Sequence, residues 1–296
     1  MANRFLRPFA MRVPLCAEMS NTIKLSLALL AALAVACGDE AVNLGNDGGN
    51  NGDGGNNSGD GGVVVLPNCT PGSTQCSDCK DNDGDGLADG FDPECTGAAD
   101  NREDSFATGL SGDNIDVGKQ DCFFDGDSGE GNDGCSIHPC CLLGAPTQAD
   151  CPAELKPQQY DPADCTLDPN NSKDAMCIET CGAATPPGCD CFGCCTICNT
   201  DGVCRDIAIH PAISPNCDVD VLTNPDLCKP CMKIEECSSE CNINNCILCP
   251  GQTPDDLPAS CQGNNVCPGG ITSCDSSADC ASNEFCNNGC CLLIVG

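Results

Sequence analysis

The residues whose types and spacing most clearly suggest chemistry lie at 81–92, which read D-N-D-G-D-G-L-A-D-G-F-D. Asp81, Asp83, Asp85, Asp89 and Asp92 fall at loop positions 1, 3, 5, 9 and 12, with Gly86 at position 6. A calcium ion takes about 6–8 oxygen ligands at about 2.3–2.6 Å, from alternate carboxylates, a backbone carbonyl and water. Alternate aspartates would point inward here, Gly86 would permit the sharp turn, and the carbonyl of Leu87 would complete the wrap. Packed this closely without a cation, five carboxylates would repel one another. Magnesium, with its tighter octahedron, suits the spacing less well. The expected ligand set is therefore Asp81, Asp83, Asp85, Leu87, Asp89 and Asp92, for Ca2+.

Asp92 stands where an EF-hand carries glutamate, and Cys79 and Pro93 leave no room for long flanking helices. The stretch D-N-D-G-D-G-L-A-D-G-F-D-P-E-C instead resembles a thrombospondin type-3 calcium repeat. In that family such loops are bracketed by cysteines, and the five aspartates match its ligand positions. Cys95 comes one residue later than the family's usual cysteine, which leaves its partner open. Softer acidic clusters lie at Asp125, Asp127, Glu130 and Asp133, and at Asp113, Asn114 and Asp116. These are candidates for a second cation site or plain turn residues.

Cysteine is the second chemical signature. The 34 cysteines in 296 residues exceed the ~8–10 % that marks a disulfide scaffold. Setting aside Cys16 and Cys37 leaves an even set, enough for 16 disulfides. With one tyrosine, eight phenylalanines and no tryptophan, the apolar core is poor, so staples worth ~2–4 kcal/mol each should dominate stability. Cys189, Cys191, Cys194, Cys195 and Cys198 crowd the run G-C-D-C-F-G-C-C-T-I-C. The pairs Cys228-x2-Cys231 and Cys246-x2-Cys249 would suit a zinc ribbon in a reducing compartment, and Cys191, Cys194 and Cys198 part of an iron–sulfur site. An exported chain makes disulfides the expected fate of all of them.

Export is read from the N-terminus. Lys24 precedes the apolar run Leu25–Ala36, too short for a membrane span of ~20 residues. Leu33-Ala34-Val35-Ala36-Cys37 resembles a bacterial lipobox, which implies that Cys37 carries lipid and begins the mature chain. A second complete start signal at Met19 suggests that translation begins there. Losing Arg4, Arg7, Arg12, Lys24 and Glu18 with such a leader would take the net charge from −32 to −35. Nucleic acid, which requires a positive footprint, is thereby disfavoured as a partner.

The elements expected to position these residues are short. Residues 37–66 form a Gly/Asn/Asp tether, spanning roughly 25–30 Å as a flexible coil. Val63–Leu66 is a candidate edge strand. An Asp-rich calcium-loop module is expected over 67–135, a Pro/Cys-rich segment over 136–188, a dense cysteine-rich module over 189–249, a linker at 250–260 and a small module over 261–296. Their contents should be turns and short β-hairpins, with short helices best placed within Pro225–Cys249 and no sustained helical period elsewhere after Cys69. In the tail, Cys274, Cys280, Cys286, Cys290 and Cys291 are spaced like small whey-acidic or knottin-type modules, in which adjacent cysteines staple different loops. The whole arrangement resembles the cysteine-rich surface lipoproteins of the myxobacterial type, a family with no clear biochemical activity to lend.

No H-E-x-x-H, G-x-S-x-G or phosphate-cradling loop occurs, and the two histidines, His138 and His210, each precede a proline. The expectation is a non-enzymatic, calcium-binding lipoprotein of the cell envelope, at the outer membrane or cell surface. It would be held to the bilayer through Cys37 and would have a structural, adhesion or protein-interaction role towards a surface or matrix partner. The alternative is an exported hydrolase or protease-inhibitor-like protein with an unrecognised active loop.

Overall fold

The computed structural model describes residues 66, 69–108, 117–125 and 133–294. The Cys37 site, the tether up to Val65, most of the candidate edge strand and part of the softer acidic clusters (Asp113, Asn114, Asp116, Asp127 and Glu130) lie outside them.

Among the described residues, regular structure comprises one α-helix, two two-stranded antiparallel sheets and a series of three-residue 3-10 turns. This is the turn-rich, disulfide-dense fold class that the composition implies. Among the described residues, no helix is long and apolar enough to cross a membrane. All 32 cysteines from Cys69 onward pair, forming 16 disulfides.

The helix, α1, spans Ser172–Thr180, outside the region where helices were expected. Asn171 caps it by accepting from the Lys173 N–H, and Asp174 lies in its first turn, favourable to the helix dipole. Cys177 and the following Cys181 stack four residues apart on one buried face and are bonded to Cys135 and Cys122. A segment too short to hold helix alone is thus fixed along one side.

Pro225–Cys249 carries only the 3-10 turns Glu235–Cys237 and Ile243–Asn245, which corrects the helical reading of that stretch. Cys228, Cys231 and Cys237 are drawn to three different partners, Cys217, Cys194 and Cys191, and no single helical face could reach all three.

Strands β1 (Cys194–Cys198) and β2 (Cys204–Ala208) pair from Cys194↔Ala208 to Cys198↔Cys204, and the last pair is itself a disulfide. Strands β3 (Glu284–Asn287) and β4 (Cys290–Leu293) meet through Asn288-Gly289, both at positive φ, the two-residue turn that Asn-Gly favours.

The disulfides fall into five sets that do not cross: 69–95, 122–181, 189–237, 241–261 and 267–291. Within them, Cys135–Cys177 ties the stretches expected as separate segments on either side of residue 136, and Cys246–Cys261 spans residues 250–260. Contacts between the sets are apolar or hydrogen-bonded. Phe91 clusters with Leu248 and Leu257, while Phe106 joins Phe123, Ile197, Ile207 and Val219.

Candidate metal centre

The loop at 81–94 winds on its own aspartates. Asp81 accepts from the backbone N–H of Gly84 at 2.5 Å and of Gly86 at 3.1 Å. Asp83 accepts from Asp85 N–H at 3.0 Å, and Asp85 from Leu87 N–H at 2.7 Å. Short polar side chains bonding the backbone two residues on are the local chemistry that bends a chain. Gly86 sits at φ +101°, where a side chain would be strained, as position 6 of the loop requires.

Two glutamates that the spacing did not single out complete the arrangement. Glu103, fully buried, accepts from Asn82 N–H at 2.5 Å and Asp89 N–H at 2.7 Å, pulling together the two arms of the loop. Glu94 accepts from Val219 N–H at 2.7 Å, across 125 residues of sequence. No spacing rule announces either; Glu94, two residues beyond Asp92 in the same acidic run, was the more accessible of the two.

Not every expected ligand faces the same way. Asp89 turns both carboxylate oxygens to Cys79 N–H, at 3.1 Å each, and its main charged neighbours are Asp78 and Lys80. Leu87 is buried with its N–H on Asp85. Asp81, Asp83, Asp85 and Asp92 act on one another or on Glu94, forming the carboxylate cluster proper.

Within that cluster, three buried oxygens have no hydrogen-bond partner: Asp85 Oδ2, Asp92 Oδ2 and Glu94 Oε2. Asp92 and Glu94 are each 2 % exposed. Asp92 Oδ1 accepts from Glu94 N–H at 2.8 Å, so each of these two carboxyls is half satisfied. The charges acting on Asp83, Asp85, Asp92 and Glu94 are those of other carboxylates.

Burial, with that repulsion added, pushes Asp83 up to about 6 and raises Asp85. Burial likewise lifts Asp92 and Glu94, a pair close enough to share a proton. Desolvation also takes Asp89 to about 6 and Glu103 to about 7, against the N–H bonds that pull them down. A buried carboxylate without donors needs a proton or a cation. All-oxygen, anionic and partly closed by backbone, this donor set fits a hard cation of the calcium type.

The loop is also roofed. Asn288 N–H donates to Gly90 O at 2.6 Å, and Asn287 Nδ2 to Cys95 O at 3.1 Å. A Cβ on Gly90 would lie 1.8 Å from Cys286 O, so only glycine admits the β3–β4 hairpin this closely.

The cysteine clusters that might have held zinc or iron–sulfur do not offer thiolates. Cys228, Cys231, Cys246 and Cys249 are bonded to Cys217, Cys194, Cys261 and Cys241. Cys191, Cys194 and Cys198 likewise have disulfide partners. Cys95 bonds Cys76, and Cys69 bonds Cys79, so the calcium-type loop is bracketed by its own staples. In the tail, adjacent Cys290 and Cys291 reach Cys267 and Cys280, each stapling a different loop.

Both histidines serve local turns. His138 Nδ1 accepts from Cys140 N–H at 3.1 Å and its ring lies 5.1 Å from that of Tyr160. His210 Nδ1 accepts from Ala212 N–H at 2.9 Å.

No protein-family model, curated protein or solved structure matches the chain.

Proposed function

We propose that this chain is a calcium-binding, disulfide-stabilised lipoprotein of the cell surface, with a structural, adhesion or protein-interaction role and no catalytic one. The observation that carries the calcium reading is the trio of buried oxygens on Asp85, Asp92 and Glu94 that no donor reaches when the carboxyls are ionised. These three would be ligands, with Asp81 and Asp83 beside them and the Leu87 carbonyl as a neutral donor. Asp89 would act chiefly by holding Cys79 N–H. The lipobox-like Leu33–Cys37 supports attachment through Cys37, and both the dense disulfides and the likeness to surface lipoproteins support an oxidising, exterior location.

Calorimetry on the full oxidised protein tests the calcium site. Extracellular calcium modules bind at ~10⁻⁴–10⁻³ M, and the loop should fall in that range. At a hundred times its dissociation constant, calcium would add ~2.7 kcal/mol to the segment it orders. Changing Asp81 and Asp85 together to Ala should abolish uptake at the loop. No uptake by the parent at millimolar calcium, or undiminished uptake by the double variant, would overturn the reading.

A further inference from the structure

An open cleft of about 560 Å³ borders the carboxylate loop, lined by Gln75, Asn82, Asp83, Asn101, Arg102 and Asp104, all exposed. Its walls are two segments held against each other. Cys76 N–H donates to Asp100 O at 3.4 Å, and the disulfides Cys76–Cys95 and Cys69–Cys79 brace the first segment. Buried Glu103 ties the two, accepting from Asn82 N–H and donating its own N–H to Gln75 Oε1 at 3.3 Å. Three amide side chains in the cleft are thus each fastened by one end. Beside Gln75, Asn101 Oδ1 accepts from Gln75 N–H at 3.3 Å, and Asn82 Nδ2 donates to Asp78 Oδ1 at 3.0 Å and Lys80 O at 3.3 Å. Each bond fixes which end of its amide carries oxygen and which nitrogen. Left without a partner among the described residues are two donors, Gln75 Nε2 and Asn101 Nδ2, and one acceptor, Asn82 Oδ1.

We propose that this cleft binds neutral carbohydrate, its amides and carboxylates holding neighbouring hydroxyl groups. The volume lies within the ~300–1,000 Å³ of small-molecule sites. No aromatic or apolar side chain is among the lining residues, so the cleft offers nothing to a nucleic-acid base or an apolar side chain. Asp83 and Asp104, on a chain of net charge −32, disfavour an anion. Arg102, whose Nε donates to Asp104 at 3.0 Å, disfavours a cation. A hydroxyl both donates and accepts, so a sugar matches donors and acceptors set side by side. Because all these groups are solvated, each hydrogen bond exchanges with water and binding at one cleft is weak. Display of many copies on one surface, as proposed above, would multiply it. The site stands apart from the calcium reading and shares only Asp83 with it.

The test is NMR on the full oxidised, isotope-labelled protein. The probes, at millimolar concentration, are neutral trisaccharides of glucose, galactose, mannose and N-acetylglucosamine, with trigalacturonate as the anionic comparison. At least one neutral probe should shift the side-chain amide signals of Gln75 and Asn101. Asn101→Asp keeps the Oδ1 that Gln75 N–H meets and turns the free donor into an acceptor. Asn242→Asp makes the same change at another exposed turn, where Oδ1 accepts from Asn244 N–H at 3.0 Å and the residue does not line the cleft. The first should weaken binding about fivefold to tenfold, and the second should leave it unchanged. No shift at Gln75 or Asn101 with any neutral probe, tighter binding of trigalacturonate, or equal weakening in both variants would overturn the assignment. Each of these outcomes leaves the calcium reading untouched.

Discussion

Asp190 is wholly buried, and its carboxylate accepts from Phe192 N–H at 3.0 Å, Cys194 N–H at 2.8 Å and Ile234 N–H at 2.8 Å. Burial nonetheless pushes it up to about 6, with those donors and Lys233 pulling the other way. The Asp85–Asp92–Glu94 cluster is the reverse case, since its unpartnered oxygens have negative neighbours in place of donors. Asp190 is therefore a structural carboxylate. Its raised value means that it favours the native state most below about 4, and that this contribution fades as pH rises through about 6. Asp190→Asn should remove that pH dependence. It should also cost ~1–3 kcal/mol, because an amide N–H₂ would face the Ile234 N–H. Carboxyl-carbon NMR and denaturation across pH 4–7 check both; a midpoint near the ordinary 3.8 would contradict the first. The carboxylates that wind their own loop, Asp81, Asp83 and Asp85, were legible in the sequence because their partners are two to five residues away. Glu94 and Glu103 were not. Their roles depend on N–H groups brought from Val219, Asn82 and Asp89 by the folded chain.

Hairpin β3–β4 and helix α1 both carried local signals, Asn288-Gly289 for the turn and Asn171 before Ser172 for the cap. Cysteine at one position in eight or nine obscured the apolar periods by which such elements are normally read, because each cysteine counts as apolar wherever its partner lies. Over Pro225–Cys249 the three-to-four spacing of Leu227, Met232, Ile234 and Ile243 suggests helix, but Cys228, Cys231 and Cys237 are held by three separate partners. What positions the carboxylate loop is packing between elements: Phe91 on its 3-10 turn against Leu248 and Leu257, beneath the β3–β4 hairpin that Gly90 admits. Phe91→Ala should cost ~3–5 kcal/mol, a typical figure for emptying a packed aromatic site. Because the 69–95 staples are self-contained, the loss should be local. Proteolysis of the oxidised variant between 95 and 122 should then release an N-terminal fragment on a non-reducing gel sooner than in the parent. Identical digestion rates would show that Phe91 does not hold this region down.

At the scale of the whole molecule, the acidic chain is stabilised by staples; the proposed function adds cations as a second support and lipid as the means of attachment. Cys37→Ala should release the protein from membranes or block its processing, as fractionation and N-terminal mass analysis would report; a processed, membrane-held variant would sink the anchor. The five uncrossed disulfide sets also bear on manufacture. Under the proposed export, the chain would emerge N-terminus first and present them in order, so that an oxidase could finish one before the next arrives. The first set holds two disulfides, the second four and the last three, which allow 3, 105 and 15 pairings. The third, with five disulfides between Cys189 and Cys237, has far more ways to go wrong. Demand for an isomerase would then be concentrated in one stretch of the chain, and a mispaired product there would leave the carboxylate loop, finished earlier, intact but without the Val219 N–H that Glu94 meets.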